Sequence, residues 1–461
     1  MKSEILTSLA LASLCGVATS QASAAEGNVL VIVADDLGKE LLSIYNAPTK
    51  IKAKTPNIDR LAKRGTIYDN VWGMPLSAPV RAAMLTGKYG HRTGILSMDG
   101  LTLSRDERTL FDALPESYKG GLFGKWNLSE YDDFAADYGL DHFAGLAKGG
   151  GVRSYNMWQL TVNGKSAQTR DYMTTVITDS AKGWIEAQTT PWLCWVAYTA
   201  PHVPLHLPPS HMHSYKKLKD NREAIESDPM SYFLAMIESL DYEIGRLMEG
   251  IGDDTTIIFV GDNGTDNSLL QEPYPYRHGK NSLYEGGIAI PMIISAGRGE
   301  RSDRLVSAVD IFPTVLELCG VNMARYEDGY SAIGSGVREY NFAEINHVRF
   351  GYTNAISDGR YKLISTKSGQ ESLYDVKNDP MELTNLIAKR LTPEAEKALE
   401  KMRAELKAME IPYDELPSTG KLREQTSEHG AGGQRTQGAN RQTGTYRDRE
   451  NSNQNRGGQY R

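Results

Sequence analysis

Two acidic pairs stand directly behind two apolar runs. Asn28–Ala34 (NVLVIVA) leads into Asp35-Asp36, and residues 256–260 lead into Gly261-Asp262-Asn263-Gly264. In an open α/β sheet, ligands gather beyond the carboxyl ends of the strands. Two such ends bring three carboxylates and one amide oxygen together, an all-oxygen set that suits Ca2+ or Mg2+. Without a cation, the carboxylates repel and shift one another's protonation. Either pair alone reads equally well as a helix cap or turn. A third group is Ser77-Ala78-Pro79-Val80-Arg81, followed by AAMLTGK. Pro79 can start a helix, and residues 82–85 continue it. Ser77 then lies at a helix N-terminus, where free N–H groups and the dipole favour an anion. Arg81 follows one turn on, facing the same way. A capping serine with a surface arginine is the plainer reading of that segment alone.

These residues need a scaffold of alternating elements. The continuous apolar character of 28–34 is that of a central parallel strand. Residues 192–199, 256–260 and 291–295 are further buried-strand candidates. Thr55-Pro56 opens a helix with Thr55 as N-cap, Pro56 in the first turn, and Ile58, Leu61 and Ala62 on the buried face. Segments 231–248 and 307–318 are amphipathic at 3.6-residue spacing. The alternation predicts an α/β layer fold, a large, mostly parallel or mixed sheet sandwiched by helices. Residues 341–375 hold short β segments (NFAEI, TNAISD, YKLIS, SLYDV) and predict a smaller C-terminal antiparallel subdomain.

The 461 residues carry 51 Lys+Arg against 58 Asp+Glu, net −7, which excludes a generally basic nucleic-acid binder but not a local cationic pocket. Residues 1–24 read as a secretory signal, with Lys2, an apolar stretch 5–17 and Ala22-Ser23-Ala24 as the cleavage pattern, so a periplasmic or secreted protein is expected. Beyond that stretch no apolar run reaches membrane-spanning length, and no membrane span is expected. Removal of the signal leaves Cys194 and Cys319. One disulfide would suit an oxidising compartment, whereas two buried thiols, in a strand and a helix, is the plainer reading. Residues 418–461 are Gly, Gln, Asn, Arg and Thr with net charge +4, a tail expected to be disordered.

The order of the motifs resembles that of the formylglycine-dependent sulfatases, type I, of the alkaline-phosphatase superfamily, in their serine-type form. NVLVIVADDLG looks like their opening strand and metal pair, and SAPVRAAMLTGKYGHRTG is similar to their signature, Cys or Ser followed by x-Pro-x-Arg. GKWNLS, AYTAPHVP, IIFVGDNG, HGKNSLYEGGIAIP, SAVDIFPTVLELCG and SLYDVKNDPMELTNL follow in the family's order. The resemblance covers residues 28–386. It implies a catalytic α/β domain, 25–330, and a C-terminal subdomain, 331–417. It implies that a maturation enzyme oxidises Ser77 to formylglycine (3-oxoalanine). Asp35, Asp36, Asp262, Asn263 and the side chain at 77 would bind Ca2+ or Mg2+. Arg81, Lys125 and Lys280 would surround the sulfate, and His202 would face the ester oxygen as general acid. The implied partner is a sulfated carbohydrate.

Several residues depart from the pattern. Asn127 stands where the family usually has a histidine, and an amide cannot act as a base. His278, near Lys280, is a candidate substitute or a turn histidine. Val80 replaces the commoner small residue, and Ala289 stands where arginine is frequent. His206, His211 and His213 offer a second metal site or, more simply, a loop lining the substrate cleft. Asn127, His206, His278 and Arg153 are candidate substrate-binding residues, as is Trp158, while Trp192 and Trp195 fit a buried strand. Two other readings compete: a phosphate or phosphonate monoester hydrolase of the same superfamily, and a non-catalytic binder of sulfated glycans with unmodified Ser77.

Overall fold

The computed structural model describes residues 27–97, 102–149, 151–252, 254–297, 299–347, 350–413 and 416. The expected signal at 1–24 and the expected tail at 418–461 lie outside the described residues. Ten strands form the principal sheet: β1 (Asn28–Ala34), β2 (Thr66–Trp72), β3 (Lys119–Ser129), β4 (His142–Lys148), β5 (Trp158–Val162), β6 (Lys165–Thr169), β7 (Trp192–Ala197), β8 (Thr255–Gly261), β9 (Met292–Ile294) and β10 (Glu300–Ser307). Their spatial order is β10-β2-β9-β8-β1-β7-β3-β4-β5-β6. β1 is central and pairs in parallel with β7 and β8, and β3 runs parallel to β7 and β4. β9 is antiparallel to both its neighbours, and β5 and β6 close one edge antiparallel. The sheet is thus mixed and mostly parallel, as expected.

Strand β1 shows why its sequence lacks alternation. Side chains project to opposite faces at a period of two. Val29, Val31 and Val33 enter one core, and Leu30, Ile32 and Ala34 enter the other. The helices divide in the same way. The second core takes α1 (Pro56–Arg64), and the first takes α2 (Ser77–Thr86). After the one-turn α3 (Gly90–Thr93), α4 (Met173–Glu186), the short α5 (Arg222–Ser227) and α6 (Pro229–Met248) follow, α4 and α6 packing on the α1 side. The one-turn α7 (Glu285–Ile288) precedes α8 (Ile311–Leu318) on the α2 side.

Some expectations change in detail. Thr55 precedes α1 but its side chain makes no capping bond. The free N–H groups of Asn57 and Ile58 donate instead to the carboxylate of Asp241 on α6, at 3.1 and 2.8 Å, so a neighbouring helix supplies the cap. The predicted helix 307–318 begins as a single tight turn, Ala308–Asp310, with a Ser307/Asp310 capping box, before α8. Cys194 in β7 and Cys319 behind α8 are free and buried, and they belong to the two opposite cores, so no disulfide joins them.

A two-stranded ribbon, β11 (Arg325–Tyr326) with β12 (Gly329–Tyr330), leads to the antiparallel sheet β13 (Asn341–His347), β14 (Gly351–Ser357), β15 (Tyr361–Thr366) and β16 (Glu371–Asp375), followed by α9 (Pro393–Ala408). The small sheet is locked to the large one by charge. Lys362 of β15 is fully buried. Its ammonium lies 3.1 Å from Glu285 Oε1, 2.8 Å from Glu382 Oε1 and 4.9 Å from the ring centre of Trp72 at the end of β2.

Strand β3 carries a backbone device beside the site. Gly124 has φ +101°, and a Cβ there would fall 2.0 Å from the carbonyl oxygen of Ala197. Pairing of β3 with β4 then loses register between Lys125 and Ser129, and Asn127 takes φ +62°. Such irregularities re-aim side chains at strand ends. Gly124→Ala combines a disfavoured φ with overpacking, so a loss of about 2 kcal/mol or more is expected in denaturant titration. A midpoint unchanged from the parent would refute the requirement for glycine.

Candidate active site

The site forms where strands stop. Ala34 and Gly261 are paired across β1 and β8, so the residues that follow, Asp35-Asp36 and Asp262-Asn263, emerge side by side. The backbone fastens them: Asp262 N donates to Ala34 O, Asp36 N donates to Asp262 Oδ1 at 3.0 Å, and Asp35 N donates to Ala200 O beyond β7. Asp36 adopts φ +64°, which turns its carboxylate back toward the site. Ser77 is the first residue of α2, completely buried with its hydroxyl at the helix mouth. Gly73, before that helix, allows the chain to pass Asp262, where a Cβ would lie 2.1 Å from the carbonyl oxygen.

Ser77 Oγ lies 2.8 Å from Asp35 Oδ1 and 3.1 Å from Asn263 Oδ1. The orientation of the Asn263 amide is fixed, because its nitrogen donates to Asp36 Oδ1 at 2.7 Å and Gly264 O at 3.0 Å. Three oxygens therefore meet with one hydroxyl proton among them. Asp36 Oδ2, close by, is buried and has no hydrogen-bond partner among the described residues. Asp35, Asp36 and His202 each present a ligand atom within 4.8 Å of the others. A set of buried oxygens short of protons fits a hard divalent cation. Asp262 has both carboxylate oxygens engaged, Oδ1 by the N–H groups of Asp36 and Asn263, and Oδ2 by Arg81.

Three cations answer the three carboxylates one to one. Lys125 Nζ is 2.5 Å from Asp35 Oδ2, Lys280 Nζ is 2.5 Å from Asp36 Oδ1, and Arg81 Nη2 is 3.1 Å from Asp262 Oδ2. Arg81 also donates to Lys125 O, while its Nε has no partner among the described residues. These fixed charges cancel, so a bound divalent cation would leave the pocket positive and attractive to an anion. Burial pushes the Asp35 carboxyl up, but Lys125, His202, Arg81 and Lys280 outweigh it and hold the group well below its usual range. Asp262 is displaced upward, by burial first and then by the charge of Asp35, with Arg81 opposing. Burial lowers Lys125, with Asp35 opposing. Burial would also lower Lys280, but Asp36, Asp35 and Asp262 raise it overall.

His202 lies on the turn after β7, with Nδ1 2.5 Å from Val203 O and Nε2 3.7 Å from Asp36 Oδ2. Nδ1 therefore carries the proton that Val203 O accepts, and Nε2 faces the carboxylates. The Tyr155 hydroxyl lies 2.7 Å from His202 O and 3.0 Å from Thr199 O, and so holds this turn. Thr265 does the same elsewhere. Its Oγ1 donates to Glu40 Oε1 and accepts from Gly38 N, while its carbonyl accepts from Lys280 N. Neither Tyr155, Thr265 nor Glu40 belongs to a motif, and no pattern in the sequence marked them.

The remaining candidates separate. Asn127 is buried on the irregular part of β3, its Oδ1 without a partner among the described residues. Arg153 lines a cavity of about 690 Å³ together with Lys125, Lys148 and Trp158, next to the site. Trp192 and Trp195 are core residues of β7. His278 turns away: its ring stacks on Tyr284 at 3.6 Å, and burial, with Lys362 nearby, lowers it to about 4. Ala289 is buried and bridges to Trp72. His211 packs edge-on against Tyr242, and His213 contacts Pro208 O and Tyr215 N, so the three histidines of this loop do not converge. His206 stacks on Tyr155 at 4.2 Å, and its Nε2 lies 3.2 Å from the Tyr172 hydroxyl, behind the His202 turn.

Residues 27–321 match a family model described as Sulfatase, and residues 277–410 match one described as N-sulphoglucosamine sulphohydrolase, C-terminal. Arylsulfatase J of Mus musculus is 27% identical over 374 residues, covering 72% of this chain and 60% of its own length. N-acetylgalactosamine-6-sulfatase of Homo sapiens is 23% identical over 344 residues, covering 64% and 62%. The chain thus spans under two thirds of these two relatives. Among solved structures, Ps i-CgsB in complex with k-i-k-neocarrahexaose superposes with a TM-score of 0.71 at 25% identity, covering 88% of this chain and 98% of that one.

Burial lowers His206 to about 4 from the usual 6.5. A depressed imidazole adds stability above its ordinary value and loses it as pH falls toward the folded one. His206→Gln should therefore flatten the fall in melting temperature between pH 6.5 and 4. A variant whose melting temperature falls as steeply as the parent's would contradict a buried neutral ring.

Proposed function

Because the chain belongs to the sulfatase family, whose model covers residues 27–321, we propose that it hydrolyses a sulfate ester of a sulfated carbohydrate with residue 77 as nucleophile. The observation that carries this reading is the Ser77 hydroxyl at a helix mouth, 2.8 Å from Asp35, in a pocket that also holds Arg81, Lys125 and Lys280. The carbohydrate part draws support from one relative, N-acetylgalactosamine-6-sulfatase, and from the oligosaccharide in one similar structure.

The roles follow from the chemistry. A maturation enzyme would remove two hydrogens from the Ser77 side chain to leave formylglycine. Hydrated, that aldehyde offers two hydroxyls on one carbon, one to take the sulfuryl group and one to release sulfate by restoring the carbonyl. A divalent cation, Ca2+ or alternatively Mg2+, would be held by Asp35, Asp36, Asp262, Asn263 and the side chain at 77, and would supply Lewis-acid neutralisation. Arg81, Lys125 and Lys280 stabilise charge on the sulfuryl oxygens. His202, with Nδ1–H committed to Val203 O, enters the step as the imidazolium, so that Nε2–H gives its proton to the departing alcohol and the neutral ring remains. Asn127 can only hydrogen-bond. Its role is to hold an oxygen, and Arg153 contacts the sugar.

The same proposal keeps residues 25–330 as the catalytic unit and 331–417 as the C-terminal subdomain, and it assigns the chain to the periplasm or the exterior.

Two measurements test this. Aryl sulfate, phosphate and phosphonate monoesters should be compared on protein whose Ser77 peptide has lost two hydrogens by mass. Sulfate release is expected to dominate; preferential release of phosphate or phosphonate would favour the hydrolase alternative, and binding without turnover by unaltered Ser77 the glycan binder. His202→Ala should slow sulfated sugars, which have poor leaving groups, about 100-fold or more, and activated aryl sulfates far less. Equal losses on both would remove its role as acid.

A further inference from the structure

A second cleft, of about 600 Å³, opens between the segment that carries Lys280 and the face of the small sheet. That volume suits one or two sugar rings. Its inner wall is tied to the site. Asn281 follows Lys280 and its N–H donates to Pro75 O, two residues before Ser77. Asn267 Nδ2 donates to Lys280 O at 2.7 Å, while Asn267 Oδ1 accepts from Gly279 N. Hydrogen bonds thus join the inner wall of the cleft to the segment whose Lys280 ammonium lies 2.5 Å from Asp36.

Its lining is unusual in composition. Tyr276 is 78% exposed and Phe350 54% exposed, both large rings left to solvent at a cleft. Arg277 lies over the Tyr276 ring at 5.3 Å, and His347 stacks on Phe350 at 4.9 Å. Tyr284, Gln370 and Ser372 add ring surface and hydrogen-bonding groups. Among the described lining residues there is no carboxylate. The cavity of about 970 Å³ that Glu285 lines differs, since Asp69, Glu285, Asp303 and Asp358 line it beside Lys39, Arg301, Arg360 and Lys377. Flat aromatic faces with polar groups beside them match the apolar faces and hydroxyl rims of sugar rings. A lining with an arginine and no acid admits a sulfated ring without repulsion.

We propose that this cleft holds the neighbouring ring of a sulfated oligosaccharide whose ester lies at residue 77, so that the preferred substrate is a sulfated unit within a chain, not a free sulfated monosaccharide. The inference rests on the sulfatase reading and deepens it.

The test uses the full chain with Tyr276→Ala and Phe350→Ala, both at exposed rings outside the catalytic set. Probes are neocarrahexaose, hexasaccharides of chondroitin sulfate and heparin, their sulfated monosaccharides, and an aryl sulfate. At least one hexasaccharide should show a KM about tenfold or more below that of its monosaccharide. Each variant should raise that KM about tenfold, with aryl sulfate turnover unchanged. Equal KM for every hexasaccharide and its monosaccharide would overturn the proposal, as would variants that leave the hexasaccharide KM untouched or depress aryl sulfate turnover equally. Failure of the sulfatase reading has a different signature: no sulfate leaves any probe. Calorimetric binding of the hexasaccharides to parent and variants then still decides the cleft, by retention or loss of the tenfold affinity difference.

Discussion

Mutual repulsion among Asp35, Asp36 and Asp262, all buried at strand ends, is the constraint around which the candidate site is organised. Taking three carboxylates out of water is costly, and each needs a compensating charge at close range. The chain supplies them from three distant places: Lys125 from β3, Arg81 from α2 and Lys280 from the loop after β8. Removing Arg81 would leave Asp262 without its ion-pair partner, an error that costs about 3–5 kcal/mol at buried sites. The same balance leaves oxygens facing one another with too few protons, a setting whose chemistry fits a hard cation.

The sheet explains how such distant residues meet. Parallel strands all present their carboxyl ends at one edge, so β1, β8 and β7 deliver Asp35-Asp36, Asp262-Asn263 and the His202 turn to neighbouring points. Helix α2 is approached from the end of β2 and presents its N-terminal N–H groups to the same point. A second tier of polar contacts then removes freedom from the loops: Tyr155 under His202, Thr265 under Lys280, and Glu40 under Thr265.

Much of this was legible in the residues. The six apolar residues after Asn28 marked strand β1, and Asp35-Asp36 behind β1 and Asp262-Asn263 behind β8 meet as their positions implied. The helix from Ser77 followed from Pro79 and the run after it. Strand β3 was not read, because Gly120, Gly121 and Gly124 interrupt any apolar pattern. Gly124 makes a tight contact with Ala197 of β7, while Gly120 lies against Phe111 and Gly121 against Trp184 of α4, contacts that local propensity does not encode. The fates of His206 and His278 were equally hidden, since stacking on Tyr155 and on Tyr284 joins residues with no shared motif. Asp241 as the cap of α1 is a contact across 183 residues, beyond the reach of any local rule.

The burial of Lys362 between Glu285 and Glu382 bears on modularity. A cut anywhere between α8 and β15 would strand Glu285 without its counter-ion, one turn of chain beyond the loop that bears Lys280. The small sheet therefore behaves as a keystone and not as a detachable accessory. Lineages that trim or exchange it must first replace a buried ammonium, so insertions and losses should accumulate at loop tips while this junction stays intact.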